Sequence, residues 1–177
     1  MLPTLIAVIT VVVIVVLWVI STQRKLVVLD DNVSNAMSQI GVQLSSRFDA
    51  LTALLDLTKV YANHESEKLI EAIKLKRNVI TAKSTPEDLL KQERVIYEAL
   101  GRIIMISEQF PELKADQNYI KTMDAIEAFE NMMRTSSLIY NDSVTKLNRE
   151  IRMFPVSMIA GMLGFCKKEY MEEEKII

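Results

Sequence analysis

The chain has 177 residues, enough for a membrane anchor plus one domain of ordinary size, with 21 Lys and Arg against 23 Asp and Glu. These charges nearly cancel and no Lys or Arg precedes Arg24, so the domain offers no broad positive field and nucleic acid is excluded as a partner class. Only four Gly, four Pro and few aromatics favour long helices over sheets, and a single cysteine, Cys166, excludes an internal disulfide framework.

Residues 2–20 read LPTLIAVITVVVIVVLWVI and carry no charge over nineteen positions. As a helix rising about 1.5 Å per residue they span roughly 28 Å, close to the thickness of a bilayer's hydrocarbon core. Pro3 falls in the first turn, where its missing N–H matters least, and Trp18 lies near the end, where an indole suits the headgroup region. The rival reading is a cleaved signal peptide, with Val19 and Ser21 in the small-residue positions. The absence of a basic side chain before the apolar run, and the length of that run, favour a transmembrane anchor over residues 1–24. Arg24 and Lys25 follow it, and the excess of cations on the inner side of membranes leans the domain toward the cytoplasm, with a very short N-terminus outside.

A helical bundle domain is expected over residues 31–154. Asp30 and Asp31 either cap a new helix or lie in one that runs on unbroken from the membrane. From there Val33, Met37, Ile40, Leu44, Arg47, Leu51, Leu54, Thr58 and Tyr61 follow a 4-3 spacing, a heptad seam with two polar interruptions. Asn63 and His64 read as a break, residues 65–83 as a second helix with Leu69, Ile73 and Ile80 on one face. Ser84-Thr85-Pro86-Glu87 is a boundary of capping residue, proline and acid. A helix is expected from Pro86 to about Glu108, closed by Phe110-Pro111, with residues 112–116 as a loop. The last helix carries Tyr119, Met123, Ile126, Glu130, Met133, Ser137, Tyr140, Val144, Leu147, Ile151 and Phe154 without a slip, and Phe154-Pro155 closes it. Prolines segment the pattern, so the expected fold is all-α: an N-terminal transmembrane helix, then an antiparallel bundle of long helices, in preference to one long coiled coil. Residues 155–177 remain as an apolar segment and a charged tail in which residues 172–174 are solvated.

Several stretches resemble the LemA family. They are GVQLSSRFDALTALL at residues 41–55, KVYANHE at 59–65 and FPELKADQNYI at 110–120. Glu130-Asn131 follows, and then the most specific stretch, YNDSVTKLNREIRMFPVSMIAGMLGF at 140–165. The resemblance implies an N-terminal membrane helix, an antiparallel four-helix bundle of bromodomain-like type and no catalytic residues to carry over. The chain departs from the family pattern at Thr52, where a proline and hence a kink is usual. It also departs at Met123 and Phe129, which replace commonly polar positions, and in lacking a basic pair before Tyr140.

Some residues invite a functional reading. Arg47 and Glu130 interrupt the two seams; they either meet as a buried, register-fixing pair or each extends its head to solvent. Asn35, Asp49, Asp56 and Asn63 fall on one polar heptad line, with Val42 between the first two, and Arg134, Asn141 and Asn148 on another. Either line is a set of interhelical or intersubunit hydrogen bonds or a solvated face. Residues 156–166, VSMIAGMLGFC, with Phe154 before them and Phe165 within them, are too short to span a bilayer. They lie in the membrane interface, cover a partner groove or fold back as core, and Gly161 and Gly164 allow a bend or a close backbone approach. An even number of bundle helices returns this segment to the membrane.

His64 has no second histidine and no Glu-x-x-His partner, so no metal is expected; Cys166 lacks a nearby base and reads as structural. Met123, Met132, Met133, Met153, Met158 and Met162 read as core filler before adaptable binding surface. No phosphate loop, Ser/His/Asp signature or zinc spacing occurs, so no cofactor, small-molecule substrate or catalytic residue is expected. The leading reading is a non-enzymatic, membrane-tethered helical scaffold for an unknown protein partner or a homo-oligomer. The alternative is a sensory module in which the anchor passes a displacement to the bundle.

Overall fold

A computed structural model describes residues 2–171, and these are all helix, turn and extended connection, without a strand. The first helix, α1, runs unbroken over Leu2–Thr58. The apolar run expected as an anchor and the first bundle helix are therefore one element, and Asp30 and Asp31 lie inside it. Its side chains from residue 5 to residue 17 are exposed, whereas Trp18 is half-buried against the core and Leu26 is wholly buried. Beyond that, Val33, Met37, Ile40, Leu44, Arg47, Leu51, Leu54 and Thr58 are all buried, the whole expected seam up to the helix end. The helix continues through Thr52, whose hydroxyl donates to the Phe48 carbonyl at 2.9 Å.

The first break precedes its expected place. Residues 59–62 form the turn, in which the Thr58 carbonyl accepts from the N–H groups of Tyr61 and Ala62 at 3.0 and 2.9 Å, and Asn63 and His64 already begin α2, Asn63–Lys76. That helix is shorter than the sequence suggests. Arg77 turns extended, and the Gln92 side chain ties the exit down by accepting from the Asn78 N–H at 2.8 Å and donating to the Lys76 carbonyl at 3.2 Å. Ile80, expected on the helix, is buried from this irregular segment instead, its carbonyl packed on Gly41 of α1. Helix α3, Pro86–Gln109, starts where expected: Thr85 and Asp88 cap each other's backbone N–H groups at 3.2 and 2.9 Å. Those hydrogen bonds hold the Asp88 carboxyl below the usual carboxylate range.

The expected loop at residues 112–116 is mostly a short helix, α4, Pro111–Ala115. Pro111 sits at its start, where a fixed φ suits a first turn, and Leu113 is buried beneath it. Asp116 then caps α5, Gln117–Arg152. Arg47 meets Glu130 and Lys25 meets Glu150, so α5 runs antiparallel to α1 along most of its length. Helices α2 and α3 flank only the distal half of α1. Their markers are the Gly41–Ile80 approach, the Arg77–Asp49 ion pair at 2.7 Å, the buried Thr58–Ser66 hydroxyl pair at 2.7 Å and the Tyr61–Phe110 rings at 5.8 Å.

Helices α1, α2, α3 and α5 thus alternate in direction, and α5 returns the chain toward the exposed apolar run. It stops at Arg152, and Phe154, expected to close its seam, is 79% exposed because the chain has already left the helix. A 3₁₀ turn, Val156–Met158, follows, then tight turns to Gly164, whose φ of 83° a glycine adopts without penalty. Gly161 is exposed with open space around it, so no close approach requires it. Residues 165–171 are extended along the α1–α5 pair; the tail at residues 172–174 lies outside the described residues.

Candidate functional site

Three groupings stand out from ordinary core. The first centres on Arg47, whose side chain is fully buried among Leu44, Phe48 and Leu51. Its Nη2 donates to Glu130 Oε2 at 2.6 Å, and the Tyr97 hydroxyl of α3 donates to the other carboxylate oxygen at 2.9 Å. The guanidinium also stacks over the Tyr97 ring at 4.9 Å. Glu130 remains 42% exposed, so one end of the pair touches water while the other does not. Arg47 Nε and Nη1 are buried without a hydrogen-bond partner. Burial, then donation to Glu130, hold the Tyr97 phenol above its ordinary value. One arginine thereby joins α1, α3 and α5, and desolvation of the guanidinium offsets much of the attraction it gains.

The second grouping is the polar line on α5. Asn141 and Asn148 neither pair with another helix nor face open solvent. Asn141 donates to the Met171 carbonyl at 2.9 Å and accepts from the Met171 N–H at 2.8 Å. Asn148 does the same with Lys168, at 2.8 and 2.9 Å. The match is geometric: seven helical residues rise about 10.5 Å, and three extended residues advance about 10 Å. Each asparagine side chain thus imitates a neighbouring strand for the C-terminal segment. The Tyr140 hydroxyl adds a bond to the Glu169 carbonyl at 3.1 Å, and Lys168 pairs with Asp30 of α1 at 3.0 Å. Burial foremost, and the Glu169 charge after it, raise the Tyr140 phenol above its ordinary value.

Replacing Asn141 and Asn148 together with Ala removes four hydrogen bonds, each worth about 1 kcal/mol at most at this half-exposed site. The expected result is fast hydrogen exchange at the Lys168 and Met171 amides with the α1–α5 seam still protected. Unchanged exchange at those two amides would contradict the docking.

The third grouping lies where α5 ends. Thr145, Asn148, Arg149, Arg152, Met153 and Tyr170 line an open cleft of about 400 Å³. Met153 is exposed, as are Phe154, Met158 and Met162 beyond the cleft, whereas Val156 and Ala160 are buried and Leu163 and Phe165 pack partly on the core. The apolar segment is therefore divided between core and surface. His64 is exposed, as are Asn35, Asp49, Asp56 and Asn63 of the first polar line, and Cys166 is exposed. Among the described residues no cluster of three or more His, Cys, Asp or Glu side chains is placed to hold a metal ion. Sequence reasoning missed Tyr97, Arg149 and the extended segment, and took Arg152 only as the cation that bounds the apolar segment at residues 156–166. Only the two arginines carried a signal, as cations in a helix's last turn.

A family model for the LemA family matches residues 36–176, most of the chain. The chain belongs to the LemA family. It is also similar to Magnetosome protein MamQ 2 and Magnetosome protein MamQ 1 of Paramagnetospirillum magneticum, 30% identical to each over 76 residues. The match takes in 43% of this LemA-family chain and 28% of either relative, so the chain spans well under half the length of those proteins. The family, and a helix whose apolar window has a mean hydropathy of 3.0 and no buried residue, together suggest a membrane location.

Proposed function

We propose that this LemA-family protein is a non-enzymatic, single-pass, membrane-tethered helical scaffold that holds a protein partner or a second copy of itself beside the cytoplasmic face of the membrane. One observation carries the reading: α1 leads from an exposed apolar run into the buried seam of the bundle without a break. A tether joined this way has no flexible linker, so it sets the bundle's distance and tilt from the bilayer as a rigid post would. Apolar side chains outside the apolar run support the partner. Met132, Leu138 and Ile139 of α5 are 50%, 59% and 49% exposed, on a face that α1 does not cover.

The full chain is expected to stay in the membrane pellet after an alkaline wash, and in mild detergent to run as an assembly that a Leu138→Asp, Ile139→Asp variant loses with its melting unchanged. Release by alkali, or an assembly indifferent to both substitutions, would overturn the corresponding half of the proposal. The same continuity favours a second reading, a sensory module, since a sliding or turning apolar run would move the Arg47 tier directly. A ligand-dependent change in the distance between α1 and α3 distinguishes it.

A further inference from the structure

We propose that the cleft at the end of α5 binds the phosphate headgroup of an anionic phospholipid. The inference rests on the membrane reading above. Position is the first argument. Lys25 and Glu150 are paired at 2.7 Å, and Lys25 lies five residues beyond Ile20, the last residue of the apolar run. Five helical residues rise about 7.5 Å, which places Glu150 within the headgroup layer of a bilayer. Helix α5 descends toward the apolar run, so Arg152, its last residue, lies about 3 Å deeper, still about 4.5 Å from the level of Ile20 and within the headgroup layer.

Charge is the second argument. Four cations meet at this end of the bundle, Lys25 against Glu150, Lys168 against Asp30, and Arg149 and Arg152 at the cleft, and Arg24 and Lys167 are the chain neighbours of the first two. Lys25 and Lys168 are neutralised by Glu150 and Asp30, and among the described residues Arg24, Arg149, Arg152 and Lys167 form no ion pair. Arg149 and Arg152 both line the cleft. They oppose the negative end of the α5 dipole, which accounts for some of their placement but not for a cleft between them and Tyr170. The Thr145 hydroxyl gives its one proton to the Asn141 carbonyl at 2.8 Å, so its 3.3 Å contact with the Tyr170 oxygen draws on the phenolic proton, and a phosphate oxygen would take that proton over from this long contact. Two guanidinium groups and a hydroxyl are the donors a phosphodiester takes.

Apolar surface is the third argument. Met153 lines the cleft, and Phe154, Met158 and Met162, 79%, 67% and 86% exposed, follow it in the same segment. Acyl chains would cover them, in continuity with the exposed face of α1.

The test uses the full chain in nanodiscs of equal phosphatidylcholine and phosphatidylglycerol, released and weighed by native mass spectrometry. The wild type is expected to retain phosphatidylglycerol on the order of tenfold above its share. Arg149→Gln with Arg152→Gln abolishes the preference, and Arg149→Lys with Arg152→Lys keeps much of it. Retention in alkali-washed membranes is scored separately: a chain that stays embedded yet shows no lipid preference overturns this inference alone, whereas a chain washed out overturns the tether as well. A preference that survives the double Gln substitution overturns the site. Loss of bound lipid to excess inorganic phosphate would mean a general phosphate site and would overturn the lipid assignment.

Discussion

Replacing Glu130 with Ala lowers the unfolding free energy of the bundle by about 2–4 kcal/mol, and adding Arg47→Met to it restores much of the loss. The asymmetry between the partners sets both expectations. Glu130 is 42% exposed and gives up rather little when removed, because water already screens it. Arg47 is fully buried and already has two nitrogens without partners; without Glu130 its charge has only the face and hydroxyl of Tyr97 to rely on. Most of the cost is therefore the stranded guanidinium. Methionine fills a similar elongated volume without charge, so Arg47→Met alone is milder than Glu130→Ala, and the double variant is milder than the sum. Chemical denaturation of the four proteins in one detergent measures the coupling. Additive losses would show that the two side chains act independently.

Gly41→Ala is expected to destabilise by about 1–3 kcal/mol, although alanine is the better helix former. A Cβ at residue 41 would lie 2.4 Å from the Ile80 carbonyl oxygen and 3.0 Å from its carbon. Those are backbone atoms of a segment that is held by Gln92 and by Arg77, which binds Asp49 and Ser45 at 2.7 and 2.8 Å. It cannot withdraw without breaking those bonds or exposing Ile80. Gly101 is the internal control: it lies in mid-α3 with nothing within 4 Å of an added Cβ, so Gly101→Ala gains up to about 1 kcal/mol from helix propensity. Opposite shifts in melting temperature are expected for the same chemical change. A neutral or stabilising Gly41→Ala would mean that the connection after α2 does not pack against α1.

What the sequence made legible was periodic. The seams of α1 and α5 repeat every three or four residues over many turns, so each position votes for the same face, and even the polar members Arg47 and Glu130 took their places in it. Proline and capping residues located the start of α3 for local reasons, through Thr85 and Asp88. Features set by distant partners were not legible. Helix α2 ends at Lys76, where Gln92 takes both backbone groups of the exit; the Asn78-Val79-Ile80-Thr81 run beyond it is a weak helix former, but the apolar spacing of Ile80 masked that local signal. Phe154 continued the spacing of α5 on paper, but spacing does not report where the chain leaves the axis. The extended segment paired with Asn141 and Asn148 has no periodic trace, because side chains of a helix serve as its neighbouring strand. For the same reason the asparagine line read either as a helix or subunit contact or as a solvated face.

In the proposed scaffold, α5 and the segment after it return to the membrane that α1 enters. A nitroxide at Met158→Cys, in a Cys166→Ser background and reconstituted into bilayers, measures that directly through its exposure to lipid-soluble and water-soluble relaxation agents. Met158 is 67% exposed, and Glu112, at the far end of the bundle, gives the reference position for a second label. The expected result is a label at residue 158 held at the boundary between headgroups and acyl chains while the label at residue 112 lies in bulk water. Equal access of the water-soluble agent to both would contradict the account.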